Sequence, residues 1–184
     1  MKIRCVTDSA FRQFGQVLPS MAAATLLEEL QQRAICPENG VHYEPSIPWL
    51  EAHPLFGDVQ EHVFGGMPTQ LGYCCGNNHI LNCMEYHRGS EFNLAAEDII
   101  LLLADVRELN RAFQIHSACV QAFSVPAGTP VLIYETALHY APISGRTGKF
   151  HCLVGLLKGT NTPFAISSAR MAAFLASISA FFLP

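Results

Sequence analysis

The side chains best suited to holding a metal fall in two short clusters. The first is LNCMEYHRGSEFN, residues 81–93, where Glu85, His87 and Glu91 follow the pattern Glu-x-His-xxx-Glu. Alternate residues of a strand share a face, so Leu81, Cys83, Glu85 and His87 are expected to point one way. Asn82, Met84 and Tyr86 then point the other way. Gly89 and Ser90 permit a bend that returns Glu91 to the same space. The second cluster, VPAGTPVLIYETALHYAP (residues 125–142), holds a Pro126-x-Gly128 turn, an apolar run and then His139. Without a bulge, the parity of Val131 and Ile133 continues through Glu135 and Ala137 to His139. Two imidazoles and two carboxylates suit a hard or borderline divalent ion such as Mn, Fe, Ni or Zn.

Four protein donors leave about two positions of a six-coordinate ion for substrate oxygens. A substrate with neighbouring hydroxyl and carbonyl oxygens would fill them and gain Lewis-acid polarisation of its carbonyl. A positioned acid or base must then move a proton. The candidates are Arg88, Glu135, Tyr140 and Lys158, while Tyr86 faces away by strand alternation. His79 is a further candidate for the pocket wall. His42, His53, His62, His116 and His151 have no partner at chelating spacing and are assigned to solvent or hydrogen-bonding roles.

The elements that must carry these residues are short. Asp8 and Ser9 are N-cap types ahead of Phe11, Phe14 and Val17 at helical spacing. Residues 21–33 (MAAATLLEELQQR) are rich in helix formers, with Leu26, Leu27 and Leu30 on one stripe. Residues 36–57 hold four prolines and two glycines and read as irregular coil. From about residue 60, β-like runs broken by Gly, Pro and Asn appear at 62–64, 70–75, 80–87, 99–103, 119–125, 131–134 and 150–157. Residues 99–113 fit a buried strand or a helix equally well. The pattern predicts a mainly β sandwich or barrel behind N-terminal helices.

The chain has 184 residues, 50% hydrophobic and 14% charged, with a formal net charge of -4. That length is enough for one self-sufficient core. Eleven Lys and Arg against fifteen Asp and Glu supply no basic stripe for nucleic acid. The longest apolar stretch, 171–183, falls short of the roughly 20 residues of a membrane span and reads as a docked helix. No secretory leader is apparent in MKIRCVTDSAF. The seven cysteines lack the spacing of a disulfide framework or zinc knuckle. Most are read as reduced thiols of a cytoplasmic protein, with Cys74 and Cys75 on opposite faces of a strand.

The pair Glu85-x-His87-xxx-Glu91 and Pro126-x-Gly128-(x10)-His139 resembles the two metal-binding motifs of the cupin superfamily, HxH followed by Glu, and PxG followed by His. Glu85 stands where the first His usually lies, a substitution similar to the Glu-x-His start of cupin-like ureidoglycolate lyases. Residues 81–93, FSVPAGTPVLIYETALHYAP from Phe123 and KGTN from Lys158 further resemble a family of bacterial cupin-like proteins. The resemblance covers residues 1–163 and leaves the tail from Phe164 unmatched. It implies a single cupin-like jelly-roll domain over 1–184: a helical segment 1–35, a barrel 60–163 and an apolar tail 164–184. It also implies one divalent metal held by Glu85, His87, Glu91 and His139, and a homodimer is expected of the class. The expected activity is a sugar or sugar-acid isomerase or epimerase acting by metal-assisted proton transfer on a small polar metabolite. A ureidoglycolate-type lyase and a non-catalytic ligand- or metal-binding cupin are the alternatives.

Overall fold

Largely apolar runs form strands such as Ile99–Asp105 and Phe150–Leu157, because a strand buried on both faces reads as a nearly continuous hydrophobic stretch. The computed structural model describes residues 1–161 and the backbone of 181–183. One sheet joins β2 (Gly15–Val17), β9 (Val131–Ile133), β5 (Glu91–Ala95), β12 (Phe150–Leu157), β4 (Thr69–Asn77) and β3 (Gly40–Glu44), in that order. The second joins β1 (Ile3–Cys5), β8 (Gln121–Val125), β6 (Ile99–Asp105) and β10 (Ala137–Leu138), with β11 (Ile143–Ser144) also paired to β6. All these pairs are antiparallel except β1 with β8. The architecture is a mainly β, cupin-like fold.

Two cores lie on either side of the larger sheet. Between the sheets, Phe14, Leu101, Phe123, Val131, Phe150 and Cys152 form the barrel interior. Phe11 and Phe14 come from a 3-10 turn over Ser9–Gln13, whose N-terminus Asp8 caps by accepting from Ala10 N–H. Phe11 meets Phe123 edge to face with ring centroids 5.4 Å apart. Each such fully buried ring contributes about 1.5–3 kcal/mol of transfer free energy. On the outer face, Leu26, Leu27 and Leu30 of α1 (Ala24–Arg33) pack on Leu71, Tyr73, Cys75, Leu94 and Leu153.

Several elements differ from the sequence expectation. Residues 36–57 are not coil throughout: they contain β3 and the short helices α2 (Pro48–Glu51) and α3 (Pro54–Asp58). Pro48 and Pro54 open the two helices, where their missing N–H groups cost nothing. Residues 62–64 fall at the end of a π-helical turn, Val59–Val63, not in a strand. Residues 80–87 form no strand and carry only an isolated bridge at Glu85. In the ambiguous stretch 99–113, β6 is a strand followed by a 3-10 turn over Val106–Glu108. Cys36 and Cys75 are disulfide-bonded, while Cys5, Cys74, Cys83, Cys119 and Cys152 remain free. Most of the tail, including the bulk of the helix expected at 171–183, lies outside the described residues. Its end, β13 (Phe181–Leu183), is a strand parallel to β7 (Gln114–His116).

Candidate metal centre

The inner face of the larger sheet supplies the floor of the site. Side chains of one strand alternate, so Glu91 and Asn93 of β5 face the barrel interior while Phe92 and Leu94 face the outer core. Cys74 of β4 and Val154 of β12 lie on the same inner face. The polar loop before β5 and the segment after β10 close over this floor. They meet at a backbone bridge in which Glu85 N–H donates to His139 O at 2.6 Å and His139 N–H donates to Glu85 O at 2.8 Å.

His139 reaches the site by a route the strand-parity argument did not contain. The run from Val131 breaks after Ile133, where Ala137 N–H donates to Tyr134 O and closes a turn. The chain then re-enters as β10 against Ala104 and Asp105 of β6. Upstream, Pro126 O accepts from Thr129 N–H, and Gly128 takes φ 72°, the left-handed value that this turn requires.

Three donors converge. Glu91 Oε2 lies 3.3 Å from His87 Nε2 and 3.5 Å from His139 Nε2, and the three ligand atoms lie within 4.8 Å of one another. Their side chains are 12%, 6% and 5% exposed, respectively. The imidazole rings of His87 and His139 meet edge to face at 5.0 Å. Glu85 lines the same pocket but stands outside this group of donors.

The residues present fit a divalent ion. His139 Nδ1 lies 2.9 Å from Ala137 O, and since a carbonyl only accepts, Nδ1 carries the proton. This turns Nε2 inward, where it is buried and has no hydrogen-bond partner. Glu91 Oε1 accepts from Asn93 Nδ2 at 2.8 Å, which leaves Oε2 for the imidazoles. Asn93 is oriented in turn by the Cys152 thiol, which donates to Asn93 Oδ1 at 3.3 Å. Such outer partners fix a ligand's tautomer and direction. Donor separations of this size suit one ion with bonds of about 2.0–2.2 Å to N and O.

The electrostatics agree. Burial works to raise the Glu91 carboxyl, but the imidazoles of His139 and His87 outweigh it and hold the group well below the usual carboxylate range. Burial works to lower His139, yet the Glu91 carboxylate beside Nε2, with the Ala137 carbonyl behind Nδ1, pushes it up to about 9. The field at His139 Nε2 therefore favours a cation there, whether proton or metal. Burial drives the Cys74 thiol up to about 12, so it meets the pocket as a small neutral group.

The pocket has a volume of about 240 Å³ and a wall of Val41, Tyr43, Tyr140, Pro142 and Asn161 in addition to the site residues. Of the acid/base candidates, Tyr140 lines it. Arg88, Glu135 and Lys158 are exposed and lie outside the lining. The Arg88 guanidinium sits 5.9 Å from the centre of the Tyr86 ring, and Glu135 accepts from the Ser90 hydroxyl at 3.1 Å. Lys158 lies on the turn that leaves β12, where Leu157 O accepts from Thr160 N–H. Tyr86 packs against the core around Met84 and Leu138, and His79 is exposed. Sequence reasoning missed Tyr43, Cys74, Asn93 and Asn161 as pocket residues. For Asn93 the i+2 relation to Glu91 was an available signal; Tyr43 and Asn161 reach the site only through tertiary pairing.

A cupin-like fold here carries a buried His–Glu–His group that could hold a metal ion. The chain belongs to the family described as Domain of unknown function (DUF4867), whose model matches residues 3–176. Among solved structures it is similar to the non-heme alpha ketoglutarate dependent epimerase SnoN from nogalamycin biosynthesis. That match has 13% identity and a TM-score of 0.50, covering 85% of this chain and 84% of that one. It is also similar to RmlC from Streptococcus suis in complex with dTDP-D-xylose, at 11% identity and TM-score 0.40, covering 66% of this chain and 54% of that one. For an oxalate oxidase in complex with the substrate analogue glycolate, the figures are 12%, 0.38, 64% and 50%. The matches thus span about half the length of the latter two proteins. None of the curated proteins matches the sequence. Among the described residues, no helix is long and apolar enough to cross a membrane.

Proposed function

We propose that this protein is a metal-dependent isomerase or epimerase of a small sugar or sugar acid. The observation that carries the reading is the division of labour among its carboxylates. Glu91 is committed to the two imidazoles, whereas Glu85 faces the same pocket from outside the donor group. Among the described residues its carboxylate has no hydrogen-bond partner. A bound divalent ion would supply Lewis-acid withdrawal of charge from a substrate carbonyl oxygen. In this reading Glu85, which lines the pocket, takes a proton from the neighbouring carbon. Tyr140, pushed up to about 12 chiefly by burial, stays protonated and can return or steady a proton at oxygen. The small pocket admits a metabolite smaller than a drug-sized ligand. SnoN, of similar fold, is itself described as an epimerase.

The test is turnover of a panel of pentoses, hexoses, uronates and ureidoglycolate by metal-loaded protein in deuterated water. Solvent deuterium at the carbon beside the carbonyl supports the reading, provided Glu85→Gln removes it while retaining bound metal. Conversion of ureidoglycolate alone would assign a lyase instead. Tight sugar binding without exchange or conversion would assign a binding protein.

A second reading rests on the same donors. Two histidines and one carboxylate with open positions also form the set used by non-heme iron oxygenases. Product formation that requires both iron and dioxygen would favour it over proton transfer.

A further inference from the structure

The pocket's charge pattern points to a narrower class of substrate. Its lining contains two carboxylates, Glu85 and Glu91, and among the described residues no Lys or Arg side chain. A phosphate or free carboxylate is ordinarily held by an Arg fork, a Lys or the N-terminus of a helix. Helices α1, α2 and α3 contribute none of the lining residues, so among the described residues no α-helix N-terminus faces the cavity either. The cationic candidates near the sequence motifs, Arg88 and Lys158, are exposed and lie outside the lining.

What the wall does offer is neutral hydrogen-bonding groups. Tyr43, Tyr140 and Asn161 line the cavity beside the His–Glu–His group. Tyr43 and Asn161 lie 118 residues apart in the chain, and Asn161 Nδ2 donates to the Tyr43 hydroxyl at 3.4 Å. Asn161 takes φ 67°, a left-handed backbone value uncommon outside glycine and most tolerated by Asn and Asp. Its side chain is thus presented at the mouth by a turn with a steric requirement of its own. An amide and two phenols each offer both donor and acceptor capacity, which is how hydroxyl groups are read.

Resting on the proposed isomerase or epimerase reading, we infer that the substrate is an uncharged polyhydroxy aldehyde or ketone. Its hydroxyls are received by Tyr43, Tyr140 and Asn161, and Glu85 disfavours anionic relatives. With a divalent ion bound, the charges of Glu85 and Glu91 are formally balanced. A phosphorylated or carboxylated sugar would bring extra negative charge beside Glu85, with no Lys or Arg among the described lining residues to receive it. In a partly desolvated pocket such like-charge pairing is costly.

The experiment is calorimetric titration of the full-length protein, with metal content measured first, against matched sets of neutral sugars, their phosphates and their uronic acids. The neutral parent is expected to bind at least tenfold more tightly than its phosphate or uronate. Asn161→Ala is expected to weaken neutral-sugar binding about fivefold or more while leaving metal content unchanged. Glu85→Gln should narrow the gap between neutral and anionic ligands. Tighter binding of a phosphate or uronate, or no binding of any neutral sugar by metal-loaded protein, would overturn the neutral-substrate inference and leave metal dependence intact. Failure of the protein to bind a divalent metal at all would instead remove the reading on which the inference rests.

Discussion

Glu85 and His139 face each other across a two-hydrogen-bond bridge, although 54 residues separate them. The contact pins the loop that carries Glu85 and His87 against the segment that delivers His139. The side chains of both bridge residues enter the pocket.

Removing one imidazole should dissociate metal binding from folding. His87→Ala is expected to abolish stoichiometric metal while leaving far-ultraviolet circular dichroism unchanged, because the two apolar cores do not depend on the ion. Elemental analysis beside a thermal melt checks this, and unfolding of the variant would show that the site is structural.

The amide behind Glu91 should tune the ion without touching it. Asn93→Ala frees Glu91 Oε1, which now accepts from Asn93 Nδ2. Metal affinity is expected to fall about 10–100-fold, the usual effect of losing an outer partner. Cys152→Ser, which keeps a donor toward Asn93 Oδ1, should retain more affinity than Cys152→Ala. Competition with a chelator of known affinity measures all three.

Asp105 provides a pH-dependent contribution at the end of β6. Its carboxylate caps the Val106–Glu108 turn by accepting from Arg107 N–H, and it also accepts from Arg107 Nε at 2.8 Å and Gln13 Nε2 at 3.3 Å. Chiefly through Arg107, these bonds hold the carboxyl well below its ordinary value of 3.8. A depressed folded-state value stabilises the protein above the unfolded-state value, and that stability is lost as pH falls toward the folded-state one. Asp105→Ala should therefore cost about 0.5–2 kcal/mol at neutral pH, the range for loss of a cap. Urea titrations should show the difference from the parent protein shrinking progressively below about pH 4.

Gly72 leaves no room for a side chain. A Cβ there would lie 1.8 Å from Glu44 O and 2.6 Å from Pro45 C, both backbone atoms. Gly72→Ala should force β3 away from β4 and lower stability by about 1–3 kcal/mol, the cost of overpacking. Equilibrium unfolding would show it, and an unchanged midpoint would count against the close approach of these strands.

The strand at 150–157 was legible as a continuous apolar run flanked by turn residues. The equally apolar run from 99 fitted strand and helix alike, and its pairing with β8 decides between them. Of the four ligands expected from spacing, His87, Glu91 and His139 come together while Glu85 stands outside their group, and the reason offered for the convergence was partly mistaken. Residues 80–87 are not a strand, and the parity from Val131 to His139 is broken by a turn. Convergence comes instead from the Glu85–His139 bridge, a contact that local periodicity does not encode. The prolines at 48 and 54 were read as breakers where they act as helix starters. The Cys36–Cys75 bond spans 39 residues and joins segments that only the folded β4 brings together. Arg88, Glu135 and Lys158 lay near the motifs in sequence, yet folding directs them outside the cavity.

Because the larger sheet is packed on both faces, its strands have a phase as well as a position. Asn93 and Leu94, or Cys74 and Cys75, are adjacent residues assigned to different compartments. A slip of one residue along β4 or β5 would put an amide into the oily layer beneath α1 and a leucine into the pocket. The bond from Cys36 to Cys75 fixes one strand of this sheet at a single residue on the outer side. Its effect is that of an indexing pin: by holding Cys75 outward, it keeps Cys74 facing inward across from Cys152. The segment that follows α1 thus helps to decide which atoms a ligand meets, although Cys36 itself does not line the cavity.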